Sequence, residues 1–378
     1  MKVLHVSPSF YPARTYGGPI ESVFSLCRSL VEENCEVRVL TTDANSLDAV
    51  LQVEKDREII VPEGIRIRYC RRIMCHSVSF ELLRWLPSYV YWADVVHLTA
   101  VYSFPTLPTL FISRLLAKPV VWSPRGALQH WRGTRRIGQK KLWQSVCRLA
   151  SPRQLVLHTT SKEEAAESLK CFPAANPMII PNGVAVPPEV RRGSGNGKLQ
   201  LAFLGRLDPK KGVENLLTAC HVLTQNHRIK YSLKIAGGGH ASYTSALKSQ
   251  IESLSLSSHV ELIGEVSGEA KSKLFQTADI MIAPSHTENF AMVIAESLAH
   301  GVPVIASKGT PWQKVEEIGC GLWVDNSPAS LAEAIERMSR MPLREMGGIG
   351  RDWMQKDFSW GERAREMINL YAELAEAR

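Results

Sequence analysis

Short runs rich in β-branched and aliphatic residues alternate with stretches of helical periodicity along the whole chain, and this alternation constrains the fold more than any other feature. In the first half, strand-like runs lie near Val3–Val6, Val37–Leu40, Ile65–Tyr69, Val95–Leu98, Val120–Trp122, Leu155–His158 and Met178–Ile180. Helical segments lie near Pro19–Val31, Phe104–Leu116 and Lys162–Cys171. In the second half, runs near Leu201–Leu204, Leu233–Ile235, Val260–Ile263, Ile280–Ala283, Val302–Ile305 and Leu322–Val324 alternate with helical patterns. Such alternation predicts an α/β chain of parallel sheets covered on both faces. At 378 residues the chain is long for a single core. Pro187 to Gly197 is poor in apolar residues and rich in turn formers, so residues 1–186 and 199–359 are predicted as two doubly wound domains joined by a linker at 187–198. A closing helical segment, 360–378, is predicted to rejoin the first domain. Doubly wound sheets place ligands beyond the carboxyl ends of their strands, which here predicts a cleft between the domains.

Composition narrows the class. A hydrophobic content of 45% with 22% charged residues is that of a soluble globular protein. The opening Met1–Ser7 run, broken by His5, is unlike a signal peptide or a membrane span. The eight cysteines lack a C-x-x-C pair or zinc spacing, which suggests buried thiols in a reducing cytoplasm and no metal site. The net charge of +8 is uneven: residues 1–195 carry 25 Lys and Arg against 16 Asp and Glu, the remainder 20 against 21. From Val121 to Lys162 stand Arg125, Arg132, Arg135, Arg136, Lys140, Lys141, Arg148, Arg153 and Lys162 without one acidic residue, interleaved with Trp122, Trp131 and Trp143. The stretch admits three readings: a solvated basic face, an anionic membrane surface or phosphorylated lipid acceptor, or nucleic acid.

The strand endings carry the chemistry. After Leu204 the loop "GRLDPKKG" places Arg206 and Lys211 before a helix starting near Val213, a combination suited to a diphosphate. It is not a Walker loop. "SFYPARTYGGP" ends the first strand with Gly17 and Gly18, which admit close backbone approach to a ligand. "IAGGGH" and "LIGEVSGE" are comparable turns. "HTENFAMVIAESLAHG" sets Glu288 and Glu296 at the ends of an otherwise apolar or small-residue run. On one helix these carboxylates would stand roughly 80° apart, as surface residues or as paired functional groups. Flanking strands favour burial, and buried carboxylates need partners.

Taken together, "GRLDPKKG", "IAGGG", "LIGEVS" and "PSHTENFAMVIAESLAHGVPVIAS", following "YGGP" and "IPNGV", resemble the retaining GT-B glycosyltransferases of family four, the glycosyl transferases group one. The resemblance implies two Rossmann-like domains facing across a cleft, and transfer of a hexose or acetamido-hexose from a UDP or GDP sugar to a sugar or lipid-linked sugar acceptor, in building a surface polysaccharide. By the same resemblance Glu288 meets the donor sugar and Glu296 the ribose, as the family's Glu-x7-Glu pair. Arg206 and Lys211 grip the diphosphate with the amides of Asn289, Phe290 and Ala291, Glu265 and Val266 border the base, and Gly17 and Gly18 belong to the donor side. Where relatives carry histidines, this chain keeps His97 but has Thr99 and Arg125, so His97 and Arg125 are the acceptor-side candidates. No Asp-x-Asp occurs, and with two cations and a helix dipole at the diphosphate neither metal nor other cofactor is expected. The enzyme is expected in the cytoplasm, free or in peripheral association with the inner face of an anionic membrane, with no nucleic-acid partner. An epimerase of the same fold, acting without an acceptor, and a noncatalytic binder of nucleic acid or anionic membrane are the competing readings.

Overall fold

The computed structural model describes residues 1–13, 17–46, 49–55, 57–75, 77–129, 137–188, 197–226 and 229–376. Arg132, Arg135, Arg136 and Trp131 of the basic stretch, and 189–196 of the linker, lie outside the described residues. The chain divides into two compact units, Met1–Gly183 with Trp360–Arg378, and Val184–Ser359.

In the first unit β1 (Lys2–Val6), β2 (Glu36–Thr42), β3 (Ile59–Ile60), β4 (Arg66–Cys70), β5 (Val95–Thr99), β6 (Val120–Ser123), β7 (Leu155–Thr159) and β8 (Asn176–Ile179) form one sheet in the order β3-β4-β2-β1-β5-β6-β7-β8. Every pairing is parallel except that of the two-residue edge strand β3 with β4. One face is packed by the helices Gly18–Glu32 and Trp360–Glu376, around Phe24, Leu30, Met367 and Tyr371. The other is packed by the helices Phe80–Trp92, Thr106–Leu115 and Ile137–Ala150, over Leu98, Leu110, Trp122 and Cys147. Each strand carries apolar side chains on both faces, which is why the runs read as continuously hydrophobic. Trp360 packs so closely on Gly183 that a Cβ there would lie 2.5 Å from the indole, so the "NGV" glycine is required by the return of the closing helix.

In the second unit β9 (Leu199–Leu204), β10 (Tyr231–Ala236), β11 (Val260–Gly264), β12 (Ile280–Ala283), β13 (Val304–Ser307) and β14 (Gly321–Val324) form an all-parallel sheet ordered β11-β10-β9-β12-β13-β14. Its two faces are covered by separate apolar clusters, one around Leu216, Leu233 and Ile335, the other around Phe275, Ile294 and Trp312. β13 begins at Val304 rather than Val302, because Pro303 has no N–H to give the ladder.

One local reading of the sequence is corrected. Glu288 and Glu296 do not share a helix. Ala291, at φ 65° and ψ 70°, breaks the helical path, the helix runs Met292–Ala299, and Glu288 lies in the loop before it. The helices Phe80–Trp92 and Ile137–Ala150 add to those read from the sequence; Ser79 starts the first by accepting from the Leu82 N–H, and Pro87 lies in its interior.

Candidate active site

In each sheet the chain leaves the first strand in opposite directions, to β2 and β5 around β1 and to β10 and β12 around β9. At such switch points the loops from neighbouring strands splay apart at the carboxyl edge and leave room for a ligand. Lys211 and Glu288 meet at the second of these points; Gly17 follows β1 at the first, Arg125 follows β6, and Glu265 and Val266 follow the edge strand β11.

In the second unit the loop after β9 makes a single 3-10 turn, Pro209–Lys211, opened by Asp208, whose side chain accepts from the Lys210 N–H at 2.9 Å. Gly212 ends it in the left-handed region at φ 66°, and a Cβ there would stand 2.1 Å from the Pro284 carbonyl oxygen. Only glycine lets this loop press against the start of the loop after β12. The contact is extended by main-chain bonds from His286 N to Lys210 O and from Glu288 N to Gly309 O, both 2.8 Å. The result is an ion pair across the switch point, Lys211 Nζ with Glu288 Oε1, with the Ser285 hydroxyl donating to the same oxygen at 2.8 Å. Arg206 is exposed beside it. Lys210 is the third cation of the group; burial lowers its pKa, Lys211 and Arg206 lower it further, and Glu288 and Asp208 oppose them.

Glu296, on the helix Met292–Ala299, holds Lys271 at 2.6 Å. Lys271 comes from the helix Gly268–Thr277 and carried no signal in the sequence, where a lysine on a polar helix face has no visible partner. Phe290 and Ala291 bury their side chains, and the Trp312 indole donates to the Phe290 carbonyl, so any ligand contact of theirs runs through the main chain. Asn289 is half-buried in the same loop. Glu265 is exposed and Val266 half-buried after β11, with the Glu265 carboxylate over Gly238.

In the first unit Gly17, at φ 72°, precedes the helix Gly18–Glu32 and faces open space where a Cβ would be. His97, an acceptor-side candidate, is fully buried in the middle of β5 rather than at its end, with both ring nitrogens bonded inside the protein. Proton positions in this network follow from one fixed acceptor. The Ile180 carbonyl can only accept, so His158 donates from Nε2 at 2.9 Å and accepts at Nδ1 from the Ser123 hydroxyl at 2.7 Å. Ser123 must then accept from His97 Nε2 at 2.6 Å, leaving His97 Nδ1 to accept from the Tyr371 hydroxyl. Every donor has one acceptor only if both imidazoles are neutral. Burial agrees: it drives His158 down to about 3 with help from Arg125, and His97 well below its ordinary value with help from His5, His158 and Arg125. His5 stacks on His97 at 4.6 Å between ring centroids, bonds Thr99 at 2.8 Å, and is likewise lowered to about 3, by burial first.

Arg125 follows β6 with φ 54°. Its Nη1 donates to Asn182 Oδ1 at 2.5 Å and its Nε is buried without a partner; burial lowers its pKa, and the nearby Glu164 opposes that. Glu164, buried nearby, spends its oxygens on the N–H groups of Gly126 and Thr160 and on the Thr160 hydroxyl, which braces the turn that carries Arg125.

Comparison with known proteins places the chain by family and fold. Residues 16–186 match the family model described as Glycosyltransferase Family 4, and residues 189–353 that described as Glycosyl transferases group 1. A D-inositol 3-phosphate glycosyltransferase of Corynebacterium diphtheriae is 24% identical over 366 residues, 92% of this chain and 82% of that protein. An uncharacterized glycosyltransferase of Methanocaldococcus jannaschii is 32% identical over 176 residues, 45% of this chain and less than half, 44%, of its own length. The crystal structure of Anabaena HepE in complex with UDP-glucose superposes with a TM-score of 0.74 at 16% identity, covering 99% of this chain and 100% of that one. Two parallel-sheet units with these matches running through both define a glycosyltransferase of the GT-B fold. The chain belongs to the glycosyl transferases of group 1.

Proposed function

We propose that this enzyme is a retaining transferase that moves a hexose or acetamido-hexose from a UDP or GDP sugar to a sugar or lipid-linked sugar acceptor, in the assembly of a surface polysaccharide. The observation that carries the reading is the Lys211–Glu288 pair at the switch point of the second sheet, beside Arg206 and Lys210. A cation cluster and a carboxylate in contact match the charges that develop when a sugar–phosphate bond breaks: negative on the leaving diphosphate, positive on the oxocarbenium-like sugar.

In this reading Arg206 and Lys211, with Lys210 behind them, take the diphosphate, and main-chain amides of Asn289, Phe290 and Ala291 add to them. Glu288 faces the donor sugar hydroxyls. Glu296, oriented by Lys271, takes the ribose, and Glu265 and Val266 border the base. Gly17 and Gly18 offer backbone at the carboxyl edge of the first sheet. The acceptor oxygen bonds to the anomeric carbon on the face from which the phosphate departs, and the acceptor's proton passes to the leaving phosphate oxygen, so the configuration is retained without a separate protein base. The clustered cations supply the neutralisation that a metal would otherwise provide. The UDP-glucose complex of HepE supports a nucleotide-sugar donor.

On the acceptor side, the sealed imidazole of His97 serves the reaction by fixing the sheet edge, and Arg125 is the group that meets the acceptor. Arg125 is half-buried with its Nε unpartnered, and the nearby Glu164 has its oxygens bonded to Gly126 and Thr160, so the guanidinium keeps capacity for a further anion and a phosphorylated acceptor fits it. The phosphorylated acceptor in the name of the Corynebacterium relative points the same way.

A thermal-shift panel of UDP, GDP and ADP identifies the base, because the nucleotide that binds raises the apparent stability. Product analysis with the matching sugar nucleotides then tests the reaction. Transfer with retained anomeric configuration, lost in Glu288→Gln, is expected. Inverted product, or interconversion of donor sugars without transfer, would refute the reading.

A further inference from the structure

The loop 285–291, which carries Glu288, is held from one side by residues at and beyond the end of β13. The Ser307 hydroxyl donates to the Ser285 carbonyl at 2.5 Å, the Glu288 N–H donates to the Gly309 carbonyl at 2.8 Å, and the Trp312 indole donates to the Phe290 carbonyl. All three bonds end on the main chain of the loop, so they fix its peptide planes rather than its side chains.

The last bond decides where an N–H points. In a trans peptide the carbonyl of one residue and the N–H of the next lie in one plane and point opposite ways. With the Phe290 carbonyl turned to Trp312, the Ala291 N–H faces away from it, and among the described residues no acceptor is bonded to that N–H. Ala291 has φ 65°, a left-handed conformation that a residue with a Cβ resists. Turning the 290–291 peptide over would return φ to the negative side and swing the N–H toward Trp312, so the observed plane has to be held. Trp312 is placed to hold it. It is 3% exposed, its ring stacks on Phe358 at 5.5 Å between centroids, and it meets Phe290 and Trp353 edge to face at 5.2 and 5.8 Å. A ring wedged among three aromatics keeps its N–H on one bearing.

We propose that Trp312 is a positioning residue of the donor site: by holding the Phe290 carbonyl it aims the Ala291 N–H at the donor diphosphate. The inference rests on the reading that main-chain amides of this loop, with Arg206 and Lys211, take the diphosphate. Trp312 acts only through the peptide it holds, since its own ring is buried.

Calorimetric titration of the nucleoside diphosphate selected by thermal shift, and of its monophosphate, tests it in the parent, in Trp312→Phe and in Trp312→Phe/Ala291→Gly. Trp312→Phe keeps an aromatic ring and removes the N–H. The preference for diphosphate over monophosphate should fall roughly threefold to tenfold, the worth of one hydrogen bond. Glycine enters the left-handed region without the Cβ penalty, so adding Ala291→Gly should restore most of the lost preference. Benzothienylalanine at position 312, which exchanges the N–H for sulfur in a ring of nearly the same shape, should give the same loss and serves in place of Trp312→Phe if that variant does not fold. A variant without the N–H that keeps the parent's preference, that binds both nucleotides more weakly by the same factor, or that Ala291→Gly fails to restore would overturn the proposal and leave the donor reading standing. A parent that does not prefer the diphosphate would remove the donor reading and this inference with it.

Discussion

The Tyr371 hydroxyl donates to Nδ1 of His97, joining the closing helix to the middle of β5 across 274 positions of sequence. Burial raises the Tyr371 pKa well above its ordinary value, so the phenol keeps the proton that the chain of hydrogen bonds through His97, Ser123 and His158 requires. This bond ties the closing helix to the buried network of the first unit and takes the one proton that the network, set from the Ile180 carbonyl, leaves for Tyr371 to give.

Tyr371→Phe should therefore leave a buried imidazole nitrogen without a donor. A loss of roughly 1–3 kcal/mol is expected for such a group, read as a lower urea midpoint, with nucleotide response in the thermal shift retained. A midpoint equal to the parent's would show that the bond carries no stability.

The three buried histidines also set an acid limit. Their folded pKa values lie far below 6.5, at about 3 for His5 and His158 and well below the ordinary value for His97. Above pH 6.5 folded and unfolded chains hold the same neutral rings, and the stability is fully present. Between 6.5 and about 3 the unfolded chain takes up protons that the folded one refuses, so stability falls as pH falls. With three protons the slope approaches roughly 4 kcal/mol per pH unit near pH 5. Urea midpoints at pH 7.5, 6.5 and 5.5 measure it, and His5→Gln should make the slope shallower.

Much of this fold is legible in the sequence, because strands covered on both faces leave continuous apolar runs and the loops at their carboxyl ends concentrate glycine, arginine and lysine. Glu288 and Arg206 stand out for that reason. Lys271 does not, because its partner Glu296 is brought to it by the packing of two helices, and neither spacing nor periodicity encodes that. The sealing of His97 is hidden for the same reason: Tyr371 arrives from the far end of the chain. β3 escapes because two residues make no pattern, and Phe80–Trp92 carries a proline, Pro87, in its interior, which weakens its helical signal.

Lys271→Met should separate positioning from stability. Both partners of the Lys271–Glu296 pair are partly exposed, so the stability change should stay below about 1 kcal/mol. Nucleoside diphosphate affinity should fall, roughly threefold to tenfold, as Glu296 loses its orientation. Unaltered affinity in calorimetry would remove Lys271 from the site.

Gly212→Ala should damage the site through the backbone. A Cβ pressed against the Pro284 carbonyl at φ 66° forces apart the two loops that bring Lys211 to Glu288. A fall in melting temperature corresponding to about 1–3 kcal/mol is expected, together with loss of turnover. Parent-like turnover would show that the loop contact is dispensable.

Chelation tests the neutralisation by side chains. Turnover by protein treated with EDTA and assayed without added divalent ions should equal that of untreated protein. Loss of activity restored by magnesium or manganese would assign that charge to a metal.

The most direct measurement is calorimetric titration of the nucleoside diphosphate selected by thermal shift, alongside its monophosphate, into the parent protein and into Arg206→Ala/Lys211→Met. If these cations hold the donor diphosphate, the parent should prefer the diphosphate by about tenfold or more, an increment of the size expected for charge-assisted phosphate contacts, and the double variant should bind both forms alike. A parent that does not distinguish them, or a variant that keeps the preference, would contradict it.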